Sequence, residues 1–313
     1  MGGASTEREI SLKTGKTIYA ALRRRGYRAS AIDVDASLPW VLRRKNIDVA
    51  FLALHGPGGE DGTVQGLLDV LGIPYTGSGV RASAVGMDKS MTKALVEREG
   101  VPVAPGISIH KGQGTAAPKN LKWPLVVKPV DQGSTVGVSI VHTAEQWKSA
   151  LRRAWRQGSV IVVESFIPGR EIAVSVLDGK ALPTVEIVAP GGFYDYAAKY
   201  EKAETRYLCP SPLTKFQDRQ VRELAVRSYK VLGCEGAARV DFRLNSKGRP
   251  FFLEINTIPG MTERSLLPMA AAQAGMNYEA LTERILQSAI KGKSQHTSIR
   301  GAGKSKPKGK KSR

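Results

Sequence analysis

Two stretches with strand-like alternation, ARVDFRL (238–244) and FLEIN (252–256), stand on either side of the short polar run NSKGR. Alternation on both sides of a turn-forming loop commits this part of the chain to a β-hairpin. Side chains two apart share a face of a strand. Arg239, Asp241 and Arg243 therefore lie on one face, and Val240, Phe242 and Leu244 on the other. On the second strand Glu254 and Asn256 face together, opposite Leu253 and Ile255. A four-residue loop, Ser246 to Arg249, sets Asp241 across from Glu254 and Arg239 across from Asn256. Two carboxylates facing each other repel, and a buried unpaired charge is costly. Either a hard divalent cation such as Mg²⁺, completed by nucleotide phosphates, relieves the repulsion, or the face is the solvated side of an edge hairpin. The hairpin alone does not choose between them.

Further motifs bear on that choice. PLVVKPVDQGSTVGVS (124–139) is a strand ending at Lys128, a loop with Gly133, Ser134, Thr135 and Gly137, and a second strand. Small residues let backbone N–H groups approach phosphate oxygens, and Lys128 adds a point charge. This is not a P-loop, since GxxxxGK[ST] is missing and a strand follows the loop. In VVESFIPGREIAVSV one strand ends at Glu164 and another begins at Glu171. A linker there offers a purine ring backbone groups from Glu164 to Ile167, with Glu171 near the ribose; the plainer reading is an interlobe connection.

The organisation along the chain is α/β. Residues 1–84 alternate helix and strand patterns: a helix from Glu7 closing at Gly26, strands YRASAIDVD and IDVAFLALHG, a helix closing at Gly72, and a short strand IPYTG. This rhythm predicts a parallel sheet. Residues 85–290 divide into lobes of about 85–163 and 164–290, the second rich in strands before its helices at 218–233 and from about 277. Residues 291–313 hold nine Lys or Arg and no acid, and read as a disordered basic tail. The formal charge is +19, but the other 290 residues carry 38 basic and 28 acidic side chains, so the tail holds much of the excess. The tail can bind polyanions, but no nucleic-acid module accompanies it. No apolar run approaches the ~20 residues of a membrane span. The two cysteines, Cys209 and Cys234, suit neither a metal site nor a disulfide framework and are expected to be reduced thiols in a cytoplasmic protein.

Taken in order, an α/β lobe, a Lys-Pro strand with a glycine loop, a Glu-ending hinge and a D…E-x-N hairpin resemble the ATP-grasp superfamily. GGASTEREISL, LHGPGGEDGTVQGLLD, PYTGS, MDKSMTK, VVKPVDQGSTVGVS, FYDYAAKY, ARVDF and EINTIPGMTERSLLPMAA together resemble the D-alanine–D-alanine ligase family, from residue 2 to about 285. The resemblance implies a ligase joining two D-alanines through an acyl phosphate for peptidoglycan synthesis, with ATP as co-substrate, two Mg²⁺ or Mn²⁺ ions and a homodimer. It assigns ATP binding to Lys89, Lys128, Ser134, Glu164, Ser165, Ile167, Glu171 and Lys199, and metal binding to Asp241, Glu254 and Asn256, with Glu254 bridging. Glu7 and His55 fall at the first D-alanine, Ser265 at the second carboxylate, and Arg239 with Gly260 N–H at the oxyanion. The resemblance also implies that Tyr200, Ser134 and Glu7 form a hydrogen-bonded set that closes the site against water.

Each residue has a plainer reading. His55 is then a satisfied histidine at a strand end, Tyr200 a packing aromatic, Ser265 a helix cap and Glu7 a first-turn acid. The related alternative is a ligase forming D-alanyl-D-lactate, or another ATP-grasp carboxylate–amine ligase. From a different class comes a polyanion-binding protein on a defunct body, against which Lys128, Asp241, Glu254 and Asn256 argue. One departure stands out. The turn at Gly2 and Gly3 leads into a helix with no strand before it, although such turns follow buried strands. The expectation is that Met1 is internal and that a short apolar strand precedes it.

Overall fold

The computed structural model describes residues 1–133, 135–189 and 205–300, except for the side chains of 292–300. Helix α1 (Arg8–Arg24) buries Thr14, Ile18, Ala21 and Leu22 at helical spacing, with Arg23 and Arg24 complementing its C-terminal dipole. A short α2 (Leu38–Arg44), entered through a proline in its first turn, was not expected from the sequence pattern. Helix α3 (Thr63–Leu71) stops at Gly72, whose φ of +69° suits the left-handed cap.

The three strands expected in residues 1–84 do not form a ladder. Among the described residues they share one isolated parallel bridge, Ala50 with Tyr75, made by Ala50 N–H to Pro74 O (2.7 Å) and Thr76 N–H to Ala50 O (3.0 Å). The parallel direction and the flanking helices match the expectation, but the sheet does not. The reason is spacing, since residues 29–34 and 49–54 border a common cavity and do not come within hydrogen-bonding distance of each other.

Helix α4 (Val80–Met87) crosses the boundary expected at 84/85 and meets α5 (Lys89–Arg98) at Asp88. A four-stranded antiparallel sheet follows, in the order β1 (Gly106–His110), β4 (Val160–Ser165), β2 (Leu125–Pro129), β3 (Ser139–Val141). Helix α6 (Ala144–Trp155) closes its core with Trp147, Ala150, Leu151 and Ala154.

The second sheet runs β10 (Pro250–Asn256), β9 (Ala237–Leu244), β5 (Arg170–Leu177), β7 (Val185–Val188), β8 (Arg206–Leu208), with β6 (Lys180–Ala181) on β5. One face packs on α7 (Lys215–Val231), α4 and α5 through Val221, Leu224, Phe242 and Phe252. The other meets α8 (Leu266–Gln273) through Leu266 and Ala270. Helix α7 starts earlier than its apolar periodicity suggests, because Thr214 and Gln217 form a capping box. Helix α9 (Tyr278–Arg300) runs ten residues into the stretch expected to be a tail, because adding a turn to an existing helix needs no new nucleus. Among the described residues, no helix is long and apolar enough to cross a membrane.

Candidate active site

The β9–β10 hairpin pairs Asp241 with Glu254 and Arg239 with Asn256, as its alternation predicts. Its turn differs. Leu244 pairs with Pro250, so the loop has five residues, and a bulge at Leu253 restores the register. Asn245 Oδ1 shapes that loop by accepting from Lys247 N–H (3.0 Å) and Arg249 N–H (2.9 Å). Asp241 is buried and receives Arg239 Nε (2.9 Å) and Nη2 (2.8 Å). The residues expected to hold a metal and to stabilise an oxyanion thus share an ion pair. Each Asp241 oxygen keeps a second lone pair beyond that pair. Asn256 Oδ1 accepts from Ile258 N–H (2.9 Å). Two carboxylates in register with an amide oxygen on the same face are hard donors that fit Mg²⁺ or Mn²⁺.

Helix α5 joins this hairpin to the glycine loop. Asp88 caps it by accepting from Ser90 and Met91 N–H, both at 2.9 Å. The cap places Lys89 at the first helical position and Lys93 one turn later on the same side. Lys89 Nζ donates to Gln132 O (2.6 Å) and lies 3.6 Å from Glu254 Oε2. Lys128 Nζ meets Glu164 Oε1 at 2.5 Å, and Lys93 Nζ pairs with Glu164 Oε2. All three members of that triad are buried. Burial works against the Glu164 carboxylate, but Lys128 and Lys93 overcome it and hold its pKa down to about 2. Burial lowers Lys93 to about 8, with Glu164 opposing and Lys128 adding to the fall. The cost of the buried charges falls on Lys93, and Glu164 stays ionised.

Glu7 lies at the third wall. Two glycines approach its carboxylate closely: a Cβ on Gly56 would come within 2.9 Å of Glu7 Oε2, and one on Gly133 within 3.2 Å. Gly56 also has φ +73°, where a side chain strains the backbone. Ser5 Oγ donates to His55 O (2.6 Å), tying this turn to the end of the apolar segment. His55 is buried, 3.3 Å from Thr14 Oγ1. Burial lowers it to about 4, helped by Arg239 and the Met1 ammonium, so the ring is neutral at pH 7. Glu60 also belongs here. It is buried, accepts from Gly56 N–H at 2.7 Å, and is raised to about 8 by burial and then by Glu7.

At the hinge, Ser165 N–H is bonded to Pro105 O (2.9 Å) and Phe166 N–H to Pro124 O (3.0 Å). Ile167 O accepts from Arg243 Nε (3.2 Å), and Arg243 Nη1 lies 3.3 Å from Glu171 Oε2. The Arg243 guanidinium also lies over the Phe166 ring at 5.6 Å. Several of the backbone groups expected to meet a purine are therefore engaged within the protein. Beyond β10, a Cβ on Gly260 would approach Ser265 Oγ to 2.9 Å, so these two residues adjoin. Ser265 occupies the N-cap position of α8, yet its side chain makes no capping bond. It accepts from Thr262 N–H instead (2.9 Å), so helix capping does not explain this serine.

Ser134, Lys199 and Tyr200 lie outside the described residues. Lys93, Glu60 and Arg243 join the site without having been assigned a role in it. Each carried a signal: Lys93 sits four residues after Lys89, Glu60 lies inside the glycine-rich HGPGGEDG, and Arg243 shares the strand face of Arg239 and Asp241.

The family model described as D-ala D-ala ligase C-terminus matches residues 95–287, and that for the N-terminus matches residues 41–78. D-alanine–D-alanine ligase of Syntrophotalea carbinolica is 48% identical, over 92% of this chain and 94% of its own length. That of Pelotomaculum thermopropionicum is 45% identical, over 93% and 95%. Among solved structures, the Bacillus anthracis D-alanine–D-alanine ligase complexed with ATP superposes with a TM-score of 0.84 at 35% identity, covering 95% of this chain and 97% of that one. The chain belongs to the D-alanine–D-alanine ligase family.

Proposed function

We propose that this protein is an ADP-forming ligase that uses ATP to join two D-alanines into D-alanyl-D-alanine, a peptidoglycan precursor, through an acyl phosphate. The observation that carries the reading is Lys89. Its ammonium spans the carbonyl of Gln132 in the glycine loop and the carboxylate of Glu254 on the hairpin, so a phosphate group near it faces both elements at once. Residues 1–84 supply the first D-alanine subsite, and residues 85–290 hold the nucleotide.

In this reading Lys89 and Lys128 hold ATP phosphates as point charges, and Lys93 keeps Glu164 compensated when Lys128 turns toward the nucleotide. Arg243 fixes Glu171 and the hinge carbonyl of Ile167 beside the adenosine. Asp241, Glu254 and Asn256 would hold two Mg²⁺ ions, which would supply charge neutralisation and orientation at the phosphate oxygens. Glu7 receives the ammonium of the first D-alanine, whose carboxylate attacks the γ-phosphorus of ATP and releases ADP. The amine of the second D-alanine then attacks the acyl carbon, and phosphate leaves. Arg239 and the Gly260 N–H stabilise the oxyanion, an effect of about 3–4 kcal/mol per donor in favourable cases. Ser265 grips the second carboxylate. Such an enzyme works where ATP is, in the cytoplasm.

The test is ADP release with D-alanine alone, and with D-alanine plus D-lactate. The reading expects ADP and the dipeptide from D-alanine alone. ADP that appears only when D-lactate is added points to ester formation and refutes it.

A further inference from the structure

A turn beyond β10, from Thr262 to Ser265, is built around one hydroxyl. Thr262 N–H donates to Ser265 Oγ (2.9 Å), and Ser265 N–H donates back to Thr262 O (2.9 Å). These two bonds close the turn without help from the Thr262 side chain. Yet Thr262 Oγ1 also lies 2.9 Å from Ser265 Oγ, its one hydrogen-bonding partner among the described residues. A hydroxyl at an N-cap ordinarily accepts from the second or third N–H of its helix. Ser265 does not, and Pro268, the third residue of α8, has no N–H to offer. The serine oxygen is held in the turn instead, facing Gly260, where a Cβ would come within 2.9 Å of it. Tyr278 on α9 anchors the same segment by donating its hydroxyl to Met261 O (2.5 Å), and Met261 is buried.

Counting protons fixes what Ser265 presents. A hydroxyl has one proton and two lone pairs. Thr262 N–H takes one lone pair, which leaves a lone pair and a proton to divide between Thr262 Oγ1 and a ligand. If Ser265 donates to Thr262, it offers a ligand no proton. The Thr262 proton is then left without a protein acceptor among the described residues. If Thr262 donates to Ser265, both lone pairs are filled and the Ser265 proton is left for the ligand. A carboxylate has acceptors only, so it selects this second arrangement. A charge-assisted bond to it is also strengthened when the donating oxygen itself accepts a bond.

We propose that Thr262 is a positioning residue: it donates to Ser265 Oγ and so makes the Ser265 hydroxyl a fixed donor to the carboxylate of the second D-alanine. The inference rests on the functional reading above and deepens it at the second subsite. Thr262 acts through Ser265, and its hydroxyl, not its place in the turn, carries the effect.

The test reads ADP release over a wide range of D-alanine concentrations, which gives a KM for each subsite. Thr262→Val keeps the branched shape and both backbone bonds of the turn but removes the donor. It is expected to raise the second KM about fivefold, the worth of one ordinary hydrogen bond, with little change in the first KM or the melting temperature. Thr262→Ser restores the hydroxyl and is expected to bring the second KM back. Ser265→Ala is expected to raise the same KM, and adding Thr262→Val to it to change nothing more, because the donor then has nothing to orient. The proposal is overturned if Thr262→Val leaves the second KM unchanged, raises both KM values alike, or keeps its effect in the Ser265→Ala background. Failure of Thr262→Ser to restore the second KM also overturns it, since the effect then belongs to packing. Dipeptide formation by the unsubstituted protein is measured first. Its absence overturns the functional reading and this inference with it, whereas any of the other adverse results overturns the role of Thr262 alone.

Discussion

Replacing Glu164 with glutamine removes the one anion between two buried lysines. Its ionised form is favoured in the fold, with a value near 2 against an ordinary 4.5. At about 1.4 kcal/mol per unit, that difference is a contribution of about 3 kcal/mol, in line with the ~3–5 kcal/mol lost when a buried pair is broken. Because the folded-state value is depressed, the contribution is complete above pH 4.5 and is lost as pH falls from 4.5 toward 2. Glu164→Gln should therefore cost about 3 kcal/mol at pH 7 and about 2 kcal/mol at pH 3.5. Glutamine leaves Lys93 and Lys128 facing each other without compensation. Adding Lys93→Met to Glu164→Gln should then recover at least about 1 kcal/mol, since one uncompensated cation is gone. Urea unfolding followed by tryptophan fluorescence suits the measurement, because Trp147 and Trp155 lie on the helix that packs against the four-stranded sheet carrying Lys128 and Glu164. If the double variant is no more stable than Glu164→Gln alone, the lysines are not the source of the loss.

Three further outcomes are expected. Glu254→Gln should abolish ADP release with little change in melting temperature, since its carboxylate faces the cleft beside Lys89; near-normal turnover at saturating Mg²⁺ would show that it holds no metal. Gly133→Ala puts a methyl group about 3.2 Å from Glu7 Oε2 and should raise the KM for D-alanine about tenfold, a loss of ~1.4 kcal/mol; an unchanged KM would remove Glu7 from the first subsite. His55 titrates near 4 in the fold against an ordinary 6.5, so the unfolded chain binds the extra proton between those values and stability rises with pH across that window. His55→Gln should flatten that slope, and identical unfolding curves at pH 4.5 and 6.5 in the unsubstituted protein would contradict it.

Much of the site was legible because its residues repeat at structural periods. The alternation of Arg239, Asp241 and Arg243 marks one strand face, and that of Glu254 and Asn256 marks the face opposite them. What escaped depends on contacts distant in sequence. Nothing near Glu60 announces that Glu7 and Arg239 will lie beside it, and nothing near Arg243 shows that Ile167 and Glu171 will meet its guanidinium. The N-terminal sheet failed for the opposite reason. Residues 27–35 and 47–56 have the local composition of strands, but a ladder needs a neighbour at hydrogen-bonding distance, and among the described residues only Met1 supplies a rung to residues 29–34.

The hairpin shows how a register can be right while its derivation is not. Counting back from a four-residue loop put Glu254 across from Asp241, and the two do pair. The loop has five residues, however, and on that register alone Glu254 would fall opposite Val240, a residue of the buried core. A carboxylate on that face would lie among Val240, Phe242 and Phe252, a burial that costs many kcal/mol unless the group takes up a proton. The extra residue at Leu253 moves the strand on by one position, so that Phe252 and Ile255 both stay in the core while Glu254 turns to the cleft and Lys89. Alternation cannot reveal this, because a longer loop and a bulge displace the register by equal and opposite amounts. The core's need for two aromatic rings at 6.1 Å, Phe242 and Phe252, and the cleft's need for a carboxylate two residues later are incompatible on a regular strand. The bulge reconciles them, which places the functional geometry of Glu254 in the backbone of β10 as much as in its side chain.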